Sequence, residues 1–122
     1  MTAFLIVIVT PAAETTRTQW AITEETCLSA LQAAVHGYVD VVRLNDTLDM
    51  WVNEEGLFTE PLNPLASAIA AVYSARSRTP RQPYFYGTVV FTGGADDEGA
   101  TRPLEPAQAD ELLALSRRLL AA

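Results

Sequence analysis

The sequence predicts an α+β fold: one antiparallel sheet of four strands with helices on it, in the ferredoxin-like order β-α-β-β-α-β, and an added C-terminal helix. Three observations predict it. Short runs rich in Val, Ile, Phe, Tyr and Trp alternate with longer stretches of helical periodicity. Helix caps stand at the starts of those stretches, and an Asn-Asp-Thr turn joins two of the β-rich runs.

Phe4 to Val9 is a continuous β-favouring run, the pattern of a covered strand. Pro11 to Thr18 reads as a polar connection, after which Trp20 and Ile22 extend a second short edge segment. Thr23 caps a helix over Glu24 to Val35, with two carboxylates in its first turn where the helix dipole favours them. Leu28, Leu31 and Val35 supply its apolar stripe, and Gly37 ends it in a left-handed conformation. Tyr38–Leu44 and Leu48–Asn53 form a hairpin around Asn45-Asp46-Thr47. By period two, Asp40 and Arg43 lie on opposite faces, while Asp49, Trp51 and Asn53 share one.

Asn63 as N-cap and Pro64 as first helical residue begin a second helix to about Ala75, carrying Leu65, Ile69, Val72 and Tyr73. Arg76 to Pro83 reads as a basic loop broken by proline, and Tyr84 to Thr92 as a long strand ending at Gly93-Gly94. A flexible acidic loop, Ala95 to Thr101, leads to a last helix over about Pro106 to Leu120 with Leu112, Leu115 and Leu119 on one stripe. Two helices are expected on one face, with the third at an edge or on the other face.

A chain of 122 residues, 49% hydrophobic and 19% charged, is the size and composition of a single globular domain over residues 1–122. The net charge of −7 argues against direct nucleic-acid binding, which needs clustered Lys and Arg. All eight basic residues are Arg. The one cysteine, Cys27, has no internal disulfide partner, and the apolar N-terminal run is far shorter than the roughly 20 residues that span a bilayer. A cytoplasmic protein is therefore expected, with no membrane contact.

Three phrases carry a resemblance. They are Gly37-Tyr38-Val39-Asp40-Val41-Val42, then Val52-Asn53-Glu54-Glu55-Gly56 with Pro61-Leu62-Asn63, and then Gly87-Thr88-Val89-Val90-Phe91-Thr92-Gly93. Their order and spacing resemble the DUF3846 family, small proteins of phages, plasmids and actinobacterial genomes. The shared part runs over roughly residues 28 to 93, leaving the acidic loop and the last helix outside it. The resemblance implies no particular activity. The family phrase usually continues with a polar residue after Asn-Glu-Glu-Gly. Here Leu57 and Phe58 follow, which points to an apolar contact just past the turn.

The Asn53-Glu54-Glu55 turn has two readings. In one, Asn53 and a Glu hydrogen-bond a small polar ligand, with Asn63 and the helix start nearby. In the other, Asn53 and Glu54 bind the turn's own backbone and Gly56 supplies a positive φ. The candidate ligand-binding set is Trp51, Asn53, Glu54, Glu55 and Asn63, with the loop carrying Arg76, Arg78 and Arg81 as a second wall.

No metal or cofactor is expected. Cys27 and His36 fall on opposite sides of one helix, and Asp96-Asp97-Glu98-Gly99 lacks the spacing of a calcium loop. No phosphate-binding glycine loop and no nucleophile with a His partner stands in the sequence, so an enzyme is the weakest reading. Charge is unevenly placed: residues 24–60 carry eight acids against one Arg, and residues 61–92 carry three Arg and no acid.

The expected function is a non-enzymatic binding module, of phage or mobile-element origin, for a small polar ligand or a host protein. The alternative is an acidic mimic of nucleic acid that blocks a DNA-binding host factor. A homodimer would form through the Tyr84–Thr92 strand or the last helix.

Overall fold

The computed structural model describes residues 2–77 and 82–121. Its elements in order are β1 (Thr2–Val9), β2 (Thr15–Ile22), α1 (Glu24–Val35), β3 (Val39–Asn45), β4 (Leu48–Asn53), a one-turn α2 (Gly56–Thr59), α3 (Pro64–Ser77), β5 (Val89–Gly93) and α4 (Pro106–Ala121). The chain is α+β, as the sequence predicts. The sheet has five strands in the order β2-β1-β5-β4-β3, and every neighbouring pair is antiparallel.

The fifth strand is β2, expected only as a short segment at Trp20 and Ile22. It pairs with β1 along its whole length, from Thr15 opposite Val9 to Ile22 opposite Thr2. Its Thr-rich start hides it from a hydrophobicity reading, although β-branched Thr suits a half-exposed edge. The turn into it closes with Ala13 at φ 65 and a bond from the Ala13 N–H to the Thr10 carbonyl at 2.9 Å.

Alternation along the strands divides the interior into two cores. Leu5, Val7, Val9, Met50, Val52, Val89 and Phe91 point to one face, where α3 and α4 cover them with Leu65, Ile69, Tyr73, Leu112 and Leu115. Phe4, Ile6 and Val90 point to the other face and meet Cys27, Leu31 and Val35 of α1. So α1 stands alone on one face and α3 shares the other with α4, where the sequence predicts the first two long helices together and the last at an edge or on the other face. β5 is apolar on both faces because both are covered.

Other boundaries shift for local reasons. On α1 the buried stripe is Cys27, Leu31 and Val35, and Leu28 faces outward. Thr23 caps this helix reciprocally with Thr26. The expected long strand from Tyr84 begins only at Val89. The Phe85 backbone is bonded instead to the start of α3, its N–H to Ser67 Oγ at 2.8 Å and its carbonyl to the Asn63 N–H at 2.9 Å. With β5 enclosed between β1 and β4, it offers no free edge for a dimer.

The Ala95–Thr101 loop is a small hairpin. Asp96 accepts the N–H groups of Glu98 and Ala100 at 2.9 and 3.0 Å, and an Ala95–Thr101 bridge closes it. α4 is fastened by an Arg17–Asp110 ion pair to β2 and by Gln108, which donates to the Thr47 carbonyl at 2.7 Å.

Asp49 sits on the α1 side of the sheet at 3% exposure, and its Oδ1 has no hydrogen-bond partner. Burial raises its pKa above the ordinary carboxylate value, and Arg43, with Nε at 3.8 Å, offsets part of that. A carboxyl raised in this way contributes stability below its unfolded pKa and loses it as pH rises through the folded one. Asp49→Asn should therefore raise the urea midpoint at neutral pH, with the two proteins converging as pH falls toward about 4. A midpoint at neutral pH equal to or below that of the parent would mean that the Arg43 pairing outweighs burial.

Candidate functional site

Two buried side-chain amides, Asn53 at the end of β4 and Asn63 at the start of α3, organise this end of the sheet. Asn53 is buried, and its amide does two jobs: Nδ2 donates to the Val35 carbonyl at 2.9 Å, and Oδ1 accepts the Glu55 N–H at 2.8 Å. The first bond satisfies a terminal carbonyl of α1, which no helical N–H can reach. The helix closes with His36, at φ 68, in the left-handed position expected of Gly37. The physical reason for Gly37 is proximity: a Cβ there would stand 3.0 Å from Asn53 Nδ2.

Asn63 is fully buried and bonded on every side. Its Nδ2 donates to the Val9 carbonyl at 3.0 Å and to the Gly87 carbonyl at 2.8 Å. Its Oδ1 accepts the Ala66 N–H at 3.0 Å, the N-cap bond predicted from Asn63-Pro64. A neutral amide with two donors and one oxygen used has little left to offer a ligand. Gly56 likewise serves packing, since it is absent from the positive-φ residues and a Cβ would meet the Tyr86 carbonyl at 2.8 Å.

The remaining predicted residues part company. Trp51 points to the α1 face, its indole N–H donating to Thr92 Oγ1 at 2.8 Å. Glu55 lines a small hollow with His36 and Glu60, whose side chains meet at 3.0 Å. Arg76 pairs with Glu111 of α4 at 2.8 Å and lies 5.2 Å over the Tyr73 ring. That bond to Glu111 raises the Arg76 pKa, while Tyr73, buried and beside Glu111, is pushed up to about 12. Arg78 and Arg81 lie outside the described residues. The expected continuous surface from Trp51 through Asn53 to Asn63 is thus split between one face, the interior and a flank.

What the frame does build is a recess of about 400 Å³ on the α3 side, within the size range of ligand sites. Val52 and Phe85 floor it, Asp40 and Glu54 supply carboxylates, and Leu57, Phe58 and Tyr84 are among its walls. Of the candidate set, Glu54 faces it with an exposed side chain, and Asn53 contributes a surface already committed elsewhere. Its second wall is Gln82–Tyr86, immediately after the basic loop expected in that role. None of its described lining residues is basic, so a cation is the charge it accommodates. The ligand-binding set read from the sequence did not include Asp40 or Tyr84. Sequence reading did single out Leu57 and Phe58, which turn out exposed and not in a core contact.

Among the described residues no group of three or more His, Cys, Asp or Glu is placed to hold a metal ion. None of the helices there is long and apolar enough to cross a membrane. Burial raises the Cys27 pKa, which keeps the thiol protonated and slow to react.

If Asn63 is a structural bracket, Asn63→Ala strands the Val9 and Gly87 carbonyls and the Ala66 N–H together. The expected loss is about 3 kcal/mol or more in urea unfolding, since each stranded buried group costs about 1–3 kcal/mol. A loss under about 1 kcal/mol, ordinary for an exposed cap, would contradict the bracket.

Comparison with known proteins bears on the whole chain. A family profile described as a domain of unknown function (DUF3846) matches residues 1–117, a wider span than the 28–93 that carries the three phrases and one that takes in the acidic hairpin and most of α4. No curated protein and no solved structure matches. With the profile spanning nearly its full length, the chain belongs to the DUF3846 family.

Proposed function

We propose that the protein is a binding module, and that the recess at the end of β4 takes a basic side chain of a partner protein. The observation that carries this reading is the rim. Phe58 is 84% exposed, Leu57 62% and Tyr84 58%, three large apolar side chains around one hollow that also holds Asp40 and Glu54. Scattered exposed apolar residues are ordinary, but a cluster around a recess is the form of an interaction site. Aromatic anchors beside a pocket supply most of the energy of a protein interface, and flanking carboxylates supply charge selection.

The frame supports the same reading by rigidity. Val52 and Phe85 belong to the buried core, and Gly56 holds α2 against the Tyr86 backbone, so the hollow exists before a partner arrives. Catalysis has less support here, because exposed carboxylates such as Asp40 and Glu54 lack the buried environment that tunes an acid or base. A mobile-element origin would make host cytoplasmic proteins the natural partners.

The test is capture from a host lysate, followed by affinity measurement on the isolated partner. Phe58→Ser should weaken that partner by about tenfold or more, as loss of an anchoring aromatic does, without loss of stability. Asp40→Asn with Glu54→Gln should weaken it less and flatten its salt dependence. A partner held equally by all variants would rule out the recess. A captured DNA-binding protein that duplex DNA displaces, with the recess variants unchanged, would favour the nucleic-acid-mimic alternative instead.

A further inference from the structure

A cavity of about 550 Å³, larger than the recess, lies on the opposite face of the sheet and shares no lining residue with it. α1 forms one wall and the 96–103 segment the other. Its floor is formed by Phe4 and Leu31 of the second core and by Trp51, which packs against that core. Leu28, 53% exposed and off the buried stripe of α1, overhangs it.

From these features we propose that this cleft is a binding site for a small organic amine with an apolar, ring-sized body. Three observations support it. The floor is apolar and fixed, because the Trp51 indole N–H is anchored on Thr92 Oγ1 at 2.8 Å. The far wall is preformed, because the Asp96 carboxylate holds the hairpin's own N–H groups and the Ala95–Thr101 bridge closes it. The rim carries Glu24, Asp96 and Glu98 against a single cation, Arg102.

The combination selects its occupant by chemistry. An apolar floor rewards burial of a ring or branched chain. A rim in excess of carboxylates favours a positive end and disfavours a carboxylate end. Both hairpin N–H groups bond one oxygen of Asp96, Oδ1, and the charge of Asp96 is matched by that of Arg102, so Glu24 and Glu98 carry the excess that an ammonium would meet. Arg102 faces the same space and reduces that preference without reversing it. Leu28 gives the site an apolar lip that the buried stripe of the helix does not require.

Trp51 makes the site readable, since its indole lines the cleft while that of Trp20 does not. The probes are 2-phenylethylamine, 2-phenylethanol and phenylacetate, which share a ring and differ in charge, followed by ¹H–¹⁵N correlation spectra of the whole protein at low salt. The amine should bind about fivefold tighter than the alcohol, the scale of one exposed ion pair, and phenylacetate should bind most weakly. Its shifts should fall on the Trp51 indole and on residues 98–102, leaving the Trp20 indole unmoved. Glu24→Gln with Glu98→Gln should bring the amine down to the alcohol, and Leu28→Ser should weaken both alike.

Equal affinity for the three probes would overturn the charge selection. So would a double variant that still prefers the amine. Absence of these shifts at about 10 mM amine, ten times a millimolar Kd, would overturn the site itself. Shifts confined to residues 82–86 would assign the amine to the other recess.

Discussion

Two buried carboxamides tie helix ends to the sheet where the strand ladders stop. Asn53 joins the last carbonyl of α1 to the turn after β4. Asn63 joins the start of α3 to the ends of β1 and of the segment leading into β5. A buried amide left half-satisfied costs more than the bond it makes, so these sites tolerate only a side chain with the right donors and acceptor at the right reach. The surrounding glycines follow from the same constraint. Gly37 leaves room for the Asn53 amide, and Gly56 lets α2 approach the Tyr86 backbone. The three phrases that resemble DUF3846 touch at these brackets: Gly37 lies against the Asn53 amide, and the Gly87 carbonyl accepts from Asn63.

That explains what was legible in the sequence and what was not. The N-cap role of Asn63 and the Asn45-Asp46-Thr47 hairpin were readable because capping and turn chemistry are local. The extent of α1, its Thr23 cap and the alternation that sets Asp49, Trp51 and Asn53 on one face were readable for the same reason. The position of Asn53 was readable too, but its partner, the Val35 carbonyl, is distant in sequence and had no local signature. Strand neighbours are not local either: β1 and β5 pair edge to edge, Val7 opposite Phe91 and Val9 opposite Val89, which no window of residues records. β2 was underestimated because an edge strand facing solvent needs only β-branched polar residues, and Thr15, Thr16 and Thr18 look like a loop on a hydropathy scale.

The candidate sites show the same division between frame and surface. Residues that look functional by type, Asn53 and Asn63, are consumed inside the frame. Residues that look ordinary, Leu57, Phe58 and Tyr84, are the ones left facing solvent around a hollow. A polar residue at a strand end is thus a weak indicator of a site until its hydrogen bonds are counted. Exposed aromatics next to a braced turn are a stronger one, because burial elsewhere has already been satisfied without them. The uneven charge has a comparable resolution: Arg76 is paired within α3–α4, while Asp40, Glu54, Glu24 and Glu98 line the two cavities.

The bracing role of the two amides is the claim on which the recess at the end of β4 rests, and native-state hydrogen exchange reads it directly. The Asn53 and Asn63 side-chain amide protons, with the Glu55 and Ala66 backbone N–H groups that bond to them, should exchange as slowly as the β5 amides, through near-global unfolding. Exchange of these groups at the rate of exposed loops, while β5 stays protected, would mean that the amides open independently of the fold and that the brace does not exist.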